Sequence, residues 1–206
     1  MSRILKKHSD VMDEVIALLR EGAVAILPTD NVYGLVTNGQ IQASVERIYR
    51  LKGRDSSKPL CYYTTPERAA QWGKLDDRAL SIIKLWPGAV SLIVPKQPTV
   101  PDYITRGMDS VLLVCIDAFV EELARRADFP LVATSANISN EPAITDFESA
   151  REQFEGKVDL ILDGGVSREG LSSTIVNLSV VPPFIQRQGP VSADRLKKII
   201  PELVQP

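Results

Sequence analysis

Residues 52–60 read Lys-Gly-Arg-Asp-Ser-Ser-Lys-Pro-Leu, and we call this segment, which connects a helical pattern to an apolar strand, the basic loop. It holds three cations, Lys52, Arg54 and Lys58, within seven residues. Two unit charges about 4 Å apart at an effective dielectric of ~20 interact by about 4 kcal/mol, so clustered cations repel one another. An anion such as phosphate lying between them would replace that repulsion with attraction. The basic loop therefore predicts an anion site, and an ordinary solvated surface loop is the alternative.

The overall composition is that of an ordinary globular domain. The chain has 206 residues, 44% of them hydrophobic and 24% charged. This length fits one domain over residues 1–206 with a substantial core. The net charge of −2 gives no overall basic excess for binding nucleic acid by counterion release, so any polyanion site must be local.

Histidine and cysteine usage narrows the chemistry. His8 is the sole histidine, which excludes a His-rich metal site and a Ser/His/Asp or Cys/His catalytic set, and we expect no protein-bound metal. Cys61 and Cys115 fall in apolar strand-like segments, where cysteine is usually reduced and buried. The N-terminal residues are polar and charged, and no apolar run reaches the length of a membrane span. We therefore expect no membrane partner and a cytoplasmic location.

Strand and helix patterns interleave along the chain. The predicted strands cover residues 23–27, 60–64, 89–94, 111–116, 131–134, 158–162, 174–178 and 184–186. The predicted helices cover residues 10–20, 41–51, 67–72, 77–86, 119–126, 145–154 and 192–200, with Thr145 and Glu148 as a capping box and Ser192 as a cap. This order predicts an α/β three-layer sandwich with a large mixed sheet. Neither a Walker A loop nor a GxGxxG motif is present, so an ordinary P-loop or Rossmann nucleotide site is excluded.

Polar residues follow two of the predicted strands. Thr29, Asp30 and Asn31 come after the first strand, and Ser135-Ala136-Asn137 stands at the C-terminal end of another. Such side chains are well placed to line a cleft, and they are equally common as turn formers. Each segment taken alone leaves both interpretations open.

The ordered set of motifs resembles the YrdC family. The similar segments are Pro28–Leu35 (PTDNVYGL), Lys52–Arg54 with Lys58–Leu60, Ser135–Asn137 and Arg187–Gly189. They occur in the family's order over nearly the whole chain. The resemblance implies a twisted mixed sheet of about seven strands, flanked by helices, with a concave ligand cavity. The family also contains longer members with an extra C-terminal domain, so the chain is expected to be the short form.

The activity that the resemblance implies is threonylcarbamoyl-AMP synthase. This nucleotidyltransferase joins L-threonine, bicarbonate and ATP, with Mg²⁺, for the modification of adenosine in tRNA. Double-stranded RNA, tRNA and tRNA-modification proteins are the implied partners. The implied residues are Lys52 and Arg54 for catalysis, Arg54, Lys58, Ser135, Asn137 and Arg187 for ATP, and Asn31, Tyr63, Ala133 and Ser173 for threonine.

The chain departs from the family pattern at three positions on the amino-acid side. Asn31 stands where the family usually has threonine, and Tyr63 stands where it has histidine. Val114 takes the place of an arginine that faces the amino-acid carboxylate. The nucleotide side of the expected site is kept while the amino-acid side is altered.

The residue chemistry agrees with the implied reaction. A carbamate oxygen attacking the α-phosphate builds negative charge, so catalysis needs positioning and fixed cations more than a nucleophilic side chain. Two other functions stay open. One is a YciO-like relative with a nucleotide pocket and a different or weakly used acceptor. The other is a non-catalytic RNA-binding module, which the acidic balance and the lack of aromatic residues among the cations disfavour.

Overall fold

The computed structural model describes residues 1–53, 55 and 57–205. Within these residues one sheet contains ten strands. They are β1 (Arg3–Lys6), β2 (Ala25–Leu27), β3 (Gly34–Asn38), β4 (Cys61–Tyr63), β5 (Val90–Pro95), β6 (Ser110–Val114), β7 (Leu131–Ser135), β8 (Leu160–Asp163), β9 (Thr174–Asn177) and β10 (Phe184–Arg187). The helices are α1 (Met12–Arg20), α2 (Gln42–Lys52), α3 (Asp77–Ile83), α4 (Asp102–Thr105), α5 (Ala118–Arg126), α6 (Phe147–Phe154) and α7 (Ala193–Lys197), with short 3₁₀ turns at Ser9–Val11 and Ala69–Gln71.

The sheet order is β1-β8-β2-β3-β7-β4-β6-β5-β9-β10, with parallel and antiparallel pairs mixed. The predicted mixed sheet flanked by helices is therefore confirmed, but the expected number of about seven strands is wrong. Strands β1 and β3 were missed. Strand β1 has mostly exposed side chains, so it lacks an apolar signal. Strand β3 follows the turn-rich segment 28–33, whose polar residues obscured the start of a buried strand.

Alternate residues of each central strand point to opposite layers. Tyr62, Leu113 and Val132 face a core that includes residues of α2, α3 and α6. Their sequence neighbours face a second core beneath α1 and α5. The residues of this second core come from β2, β3, β4, β6, β7 and β8 but not from β5, β9 or β10 among the described residues. The same sheet face continues past the two helices and forms the wall of a cavity.

A β-bulge places Arg187 on the cavity side of the sheet. The register of β10 against β9 runs from Ile185 opposite Val176 directly to Arg187 opposite Ile175, which leaves Gln186 as an extra residue. Ile185 and Val176 belong to the core on the side of the sheet where α2, α3 and α6 pack, whereas Ile175 lines the cavity on the other side. An extra residue reverses the alternation of a strand. Without it, Gln186 would stand opposite Ile175 and Arg187 would face the other layer.

Aspartates cap three of the helices that flank the sheet, namely Asp76 at α3, Asp117 at α5 and Asp146 at α6. The Asp146 carboxylate accepts the Ser149 N–H at 2.8 Å, so the predicted Thr145–Glu148 capping box is wrong, although the Ser192 cap of α7 is present. At the start of α5 the two carboxylate oxygens of Asp117 accept the N–H groups of Val120 and Asp30, each at 2.8 Å. Asp117 therefore connects α5 to the turn that follows β2.

Two further differences concern regular structure. The helix predicted over residues 67–72 is only the 3₁₀ turn Ala69–Gln71, and α4 lies in a segment for which neither a helix nor a strand was predicted. None of the helices in the described residues combines the length and the apolar character needed to cross a membrane.

Replacing Asp117 by Ala is expected to cost more stability than replacing Asp146 by Ala. Both changes remove a helix cap, worth about 1 kcal/mol. Only Asp117→Ala also leaves the Asp30 N–H without its acceptor, which adds about 1–3 kcal/mol. Urea unfolding of the two variants measures the difference. Equal losses would show that the bond from Asp30 to Asp117 contributes nothing.

Candidate active site

A cavity of about 640 Å³ opens on the sheet face that α1 and α5 leave uncovered. Its volume lies in the range of small-molecule sites. Its floor is formed by Ser91, Ile93, Leu112, Val114, Ala133, Ser135, Ile175 and Asn177, and its rim includes Asn31, Tyr33, Ser57, Lys58, Met108, Ser172, Ser173, Gln186 and Arg187. The sheet strands thus supply a mainly neutral floor, and the loops supply most of the polar rim.

The charge of the cavity is one-sided. Among the described residues that line it, Lys58 and Arg187 carry a positive charge and no side chain is a carboxylate. Arg187 is exposed as a whole residue. The protein atoms packed around its guanidinium remove water from that group, which disfavours the charged form and lowers the pKa of Arg187. A lining that holds positive charges and no carboxylate favours an anionic ligand. The cavity therefore suits a ligand with negative groups.

Lys52 has a different environment from Lys58. Its side chain is only 1% exposed and is not among the cavity-lining residues. The ammonium donates to the Ser135 carbonyl at 2.6 Å, and to the carbonyl and the side-chain Oδ1 of Asn137 at 2.8 Å each. These bonds use all three N–H donors of a lysine. The expectation that all cations of the basic loop share one anion therefore does not hold for Lys52.

The segment Ser135–Asn137, which we call the 135–137 turn, is held from within as well. Asn137 Oδ1 also accepts the Ser135 hydroxyl at 2.7 Å, and Asn137 Nδ2 donates to the carbonyls of Ile138 and Glu141 at 2.9 and 2.7 Å. Asn137 thus lies behind the cavity with its hydrogen-bonding groups occupied, while Ser135 lines it. To donate to a phosphate, the Ser135 hydroxyl would have to rotate away from Asn137.

The end of the basic loop that carries Lys58 is supported by α2 and α4. The Tyr49 hydroxyl donates to the Lys58 carbonyl at 2.8 Å. The Arg106 guanidinium lies 3.7 Å from the centre of the Tyr49 ring and binds the Glu46 carboxylate through bonds of 2.8 and 3.0 Å. The Arg106 bonds lower the pKa of Glu46. This stack fixes the backbone of Lys58 at the cavity rim. Arg54 lies outside the described residues.

The residues expected on the amino-acid side lie next to one another. Tyr63 and Val114 are ladder partners on β4 and β6, and Ala133 is opposite Cys61 on β7. The Tyr63 hydroxyl lies against Gly34, where an added Cβ would stand 2.5 Å from its oxygen. Burial raises the pKa of Tyr63 well above its usual value, so Tyr63 is a neutral hydrogen-bonding group. The residues beside Val114 that line the described floor of the cavity therefore carry no charge.

Ser173 and Asn31 complete this side of the cavity. The Ser173 hydroxyl is 2.7 Å from the Ser91 hydroxyl, and its carbonyl accepts Nε and Nη2 of Arg187 at 3.1 and 2.9 Å. Asn31 Nδ2 donates to the Leu171 carbonyl at 2.6 Å. The structure thus brings Asn31, Lys58, Tyr63, Ala133, Ser135, Ser173 and Arg187 to one cavity.

Sequence reasoning missed two contributors to the cavity. Tyr33 accepts the Gly164 N–H at 3.2 Å and donates to the Gly165 carbonyl at 2.8 Å, and burial raises its pKa to about 12. Ser91 lies in an apolar strand pattern that gave no reason to single it out. Tyr33 could have been recognised as a cavity residue from its place in the turn-rich segment after β2.

Comparison with known proteins identifies the family. Residues 17–189 match the family model of Sua5, YciO and YrdC proteins, which carries the description "Telomere recombination". The chain belongs to this Sua5/YciO/YrdC family. A threonylcarbamoyl-AMP synthase from Pyrococcus abyssi is 34% identical over 189 residues, which cover 90% of this chain and 56% of the relative. One from Bacillus subtilis is 31% identical, covering 95% of this chain and 58% of the relative. The chain thus spans a little more than half the length of these relatives.

Solved structures of family members have the same fold. The crystal structure of P. abyssi Sua5 complexed with L-threonine superposes with a TM-score of 0.92 at 31% identity and covers 100% of this chain and 62% of that one. Escherichia coli YciO superposes with a TM-score of 0.84 at 20% identity, covering 95% of this chain and 100% of that one. The second likeness shows the fold alone.

Replacing Lys52 by Met is expected to lower the free energy of unfolding by about 3 kcal/mol. The change leaves oxygens of Ser135 and Asn137 buried without their charged donor. Lys58→Met is the matched control in the same loop, and a surface substitution of this kind changes stability by about 0.5 kcal/mol or less. Guanidinium chloride unfolding of both variants checks this. If the two losses are the same, the Lys52 bonds do not stabilise the fold.

Proposed function

We propose that the chain catalyses the threonylcarbamoyl-AMP synthase reaction. L-threonine and bicarbonate would form a carbamate with release of water, and a carbamate oxygen would attack the α-phosphate of ATP to give threonylcarbamoyl-AMP and pyrophosphate. The family membership and the named relatives support this function. The observation that carries it is a cavity of nucleotide size whose described lining holds two cations and no carboxylate.

The residues of the cavity match what this reaction requires. The attack needs the two reactants held together and the growing negative charge on phosphorus stabilised by fixed cations and hydrogen-bond donors. Lys58 offers a point charge at the end of the basic loop, and Ser135 offers a hydroxyl on the floor. Arg54, expected beside them, stays part of the proposal. Lys52 and Asn137 would act indirectly by holding the 135–137 turn in place.

The described lining of the cavity also agrees with the way Mg²⁺ is expected to bind. Magnesium usually keeps several waters and binds substrate phosphates together with few protein groups. Because no carboxylate lines the described part of the cavity, we expect Mg²⁺ to enter bound to the triphosphate.

The tRNA and the tRNA-modification proteins that would use the product are likewise part of this proposal.

A YciO-like variant of the reaction is the second candidate, and Val114 favours it. The floor around this buried residue is neutral, so nothing on it neutralises the carboxylate of an amino acid. A buried carboxylate without a partner is costly. In that case the nucleotide would bind as proposed, while another acceptor would replace threonine or threonine would be used poorly.

Pyrophosphate release from ATP, bicarbonate and L-threonine tests the proposed function. Release should require all three compounds. Lys58→Met should weaken ATP binding about 10- to 100-fold, since a charge-assisted hydrogen bond contributes about 1.5–3 kcal/mol. Omitting each substrate in turn is the control.

Val114→Arg separates the two candidates. The added guanidinium supplies a carboxylate partner on the floor and should lower the Michaelis constant for threonine. No threonine-dependent release by either the natural protein or Val114→Arg would contradict the proposed function and favour the second candidate.

A further inference from the structure

The backbone of the cavity cation Lys58 is held on both sides. Its N–H donates to the Asp55 carbonyl at 3.1 Å, within the basic loop. Its carbonyl accepts the Tyr49 hydroxyl at 2.8 Å, which closes the loop onto α2. Two residues further on, the Leu60 N–H donates to the Ile104 carbonyl of α4 at 3.1 Å. The position from which the Lys58 side chain leaves the backbone is therefore set by α2 and α4 together with the loop.

Arg106 and Glu46 hold the Tyr49 ring in place. The guanidinium carbon of Arg106 lies 3.7 Å from the ring centre, and a guanidinium over an aromatic face is attracted to it. Both oxygens of the Glu46 carboxylate accept from Arg106, at 2.8 and 3.0 Å, and this paired fork fixes the plane of the guanidinium. The bonds between them raise the pKa of Arg106 and lower the pKa of Glu46, so both partners stay charged. We call Glu46, Tyr49 and Arg106 the loop support.

The acceptor that Tyr49 uses is more specific than the packing of its ring requires. Tyr49 is buried in the core beneath α2, and none of the three residues of the loop support is among those that line the described cavity. A buried tyrosine hydroxyl usually finds a partner, and for stability alone any carbonyl would serve. Here the carbonyl belongs to the residue whose side chain lines the cavity. The hydroxyl thus connects the core to the cation of the site.

A fixed backbone matters for a lysine that binds a ligand. Lysine presents a point charge on a flexible four-carbon side chain, so its backbone supplies most of its positioning. When a ligand must itself order a loop, the cost of that ordering is subtracted from its affinity. A phosphate that meets a Lys58 backbone already held by Tyr49 avoids part of that cost. The Tyr49 hydroxyl can therefore raise the affinity for a ligand that it does not touch.

We propose that the loop support is a positioning unit for nucleotide binding, in which Tyr49, kept in place by Arg106 and Glu46, holds Lys58 where it binds the triphosphate. This assignment rests on the proposed function and adds to it three positioning residues outside the described cavity lining. The bonds that carry it lead to Lys58 and not to the floor around Val114. Loss of the loop support should therefore weaken the nucleotide and leave the acceptor amino acid unaffected.

Two tyrosine variants give a matched test. Tyr49→Phe removes the hydroxyl and keeps the ring under Arg106. Tyr103→Phe is the control, because the Tyr103 hydroxyl donates to the Gly39 carbonyl at 2.7 Å and Tyr103 lies on α4 outside the cavity lining. Each change removes one hydroxyl-to-carbonyl bond, so urea unfolding should show similar losses. Calorimetry with α,β-methylene-ATP, which cannot be cleaved at the α-phosphate, should show binding about 3- to 10-fold weaker for Tyr49→Phe and less than about twofold weaker for Tyr103→Phe.

A double-mutant cycle with Lys58→Met shows whether Tyr49 acts through Lys58. In the Lys58→Met background the loss caused by Tyr49→Phe should shrink to less than about twofold, because the charge that the hydroxyl positions is gone. Arg106→Met should weaken the analogue in the natural background by a factor like that of Tyr49→Phe. Unchanged binding by Arg106→Met would remove Arg106 and Glu46 from the assignment.

Equal affinity of the natural protein and Tyr49→Phe for the analogue would overturn the assignment. An equal loss in Tyr103→Phe, or an undiminished loss in the Lys58→Met background, would also overturn it. In pyrophosphate release, Tyr49→Phe should raise the Michaelis constant for ATP and change that for threonine less than about twofold. The calorimetric contrast without threonine-dependent release defeats the proposed function alone, and release with equal analogue affinities defeats this inference alone. A natural protein that does not bind the analogue defeats both.

Discussion

The arrangement of the candidate site depends on one buried ammonium group. Lys52 ends α2, and its three hydrogen bonds reach the 135–137 turn at the end of β7. A buried charge is tolerated only where hydrogen bonds replace the lost water, and here three oxygens do so. The helix that leads into the basic loop is thereby fixed to the strand that carries Ser135. The loop with Lys58 and the floor with Ser135 consequently keep a fixed relation across the cavity.

The cavity itself results from incomplete coverage of the sheet. Ten strands form a wider face than α1 and α5 cover, so the side of β5, β9 and β10 is left for a ligand. The bulge at Gln186 then supplies a charge there, because it turns Arg187 toward this face. A sheet with strict alternation would have placed a neutral glutamine opposite Ile175. The ligand site thus uses one irregularity in an otherwise regular sheet.

The sequence predicted the segments of the site better than the role of each side chain. Strand and turn patterns placed Ser135 at a strand end and put Lys58 next to a strand, and both residues line the cavity. Lys52 and Lys58 looked alike in the sequence, yet one is buried and bonded while the other lies at the rim. Local pattern cannot separate them, because the oxygens that hold Lys52 come from residues more than 80 positions away. The bulge at Gln186 likewise depends on how β10 pairs with β9.

A crystal structure with a non-hydrolysable ATP analogue and L-threonine tests the central claim that Lys52 shapes the site while Lys58 and Ser135 contact the nucleotide. The account predicts phosphates within hydrogen-bond distance of Lys58 and Ser135, with the Lys52 ammonium still bound to the 135–137 turn. A Lys52 side chain that has left the turn to contact a phosphate, or a nucleotide bound outside the cavity, would contradict it.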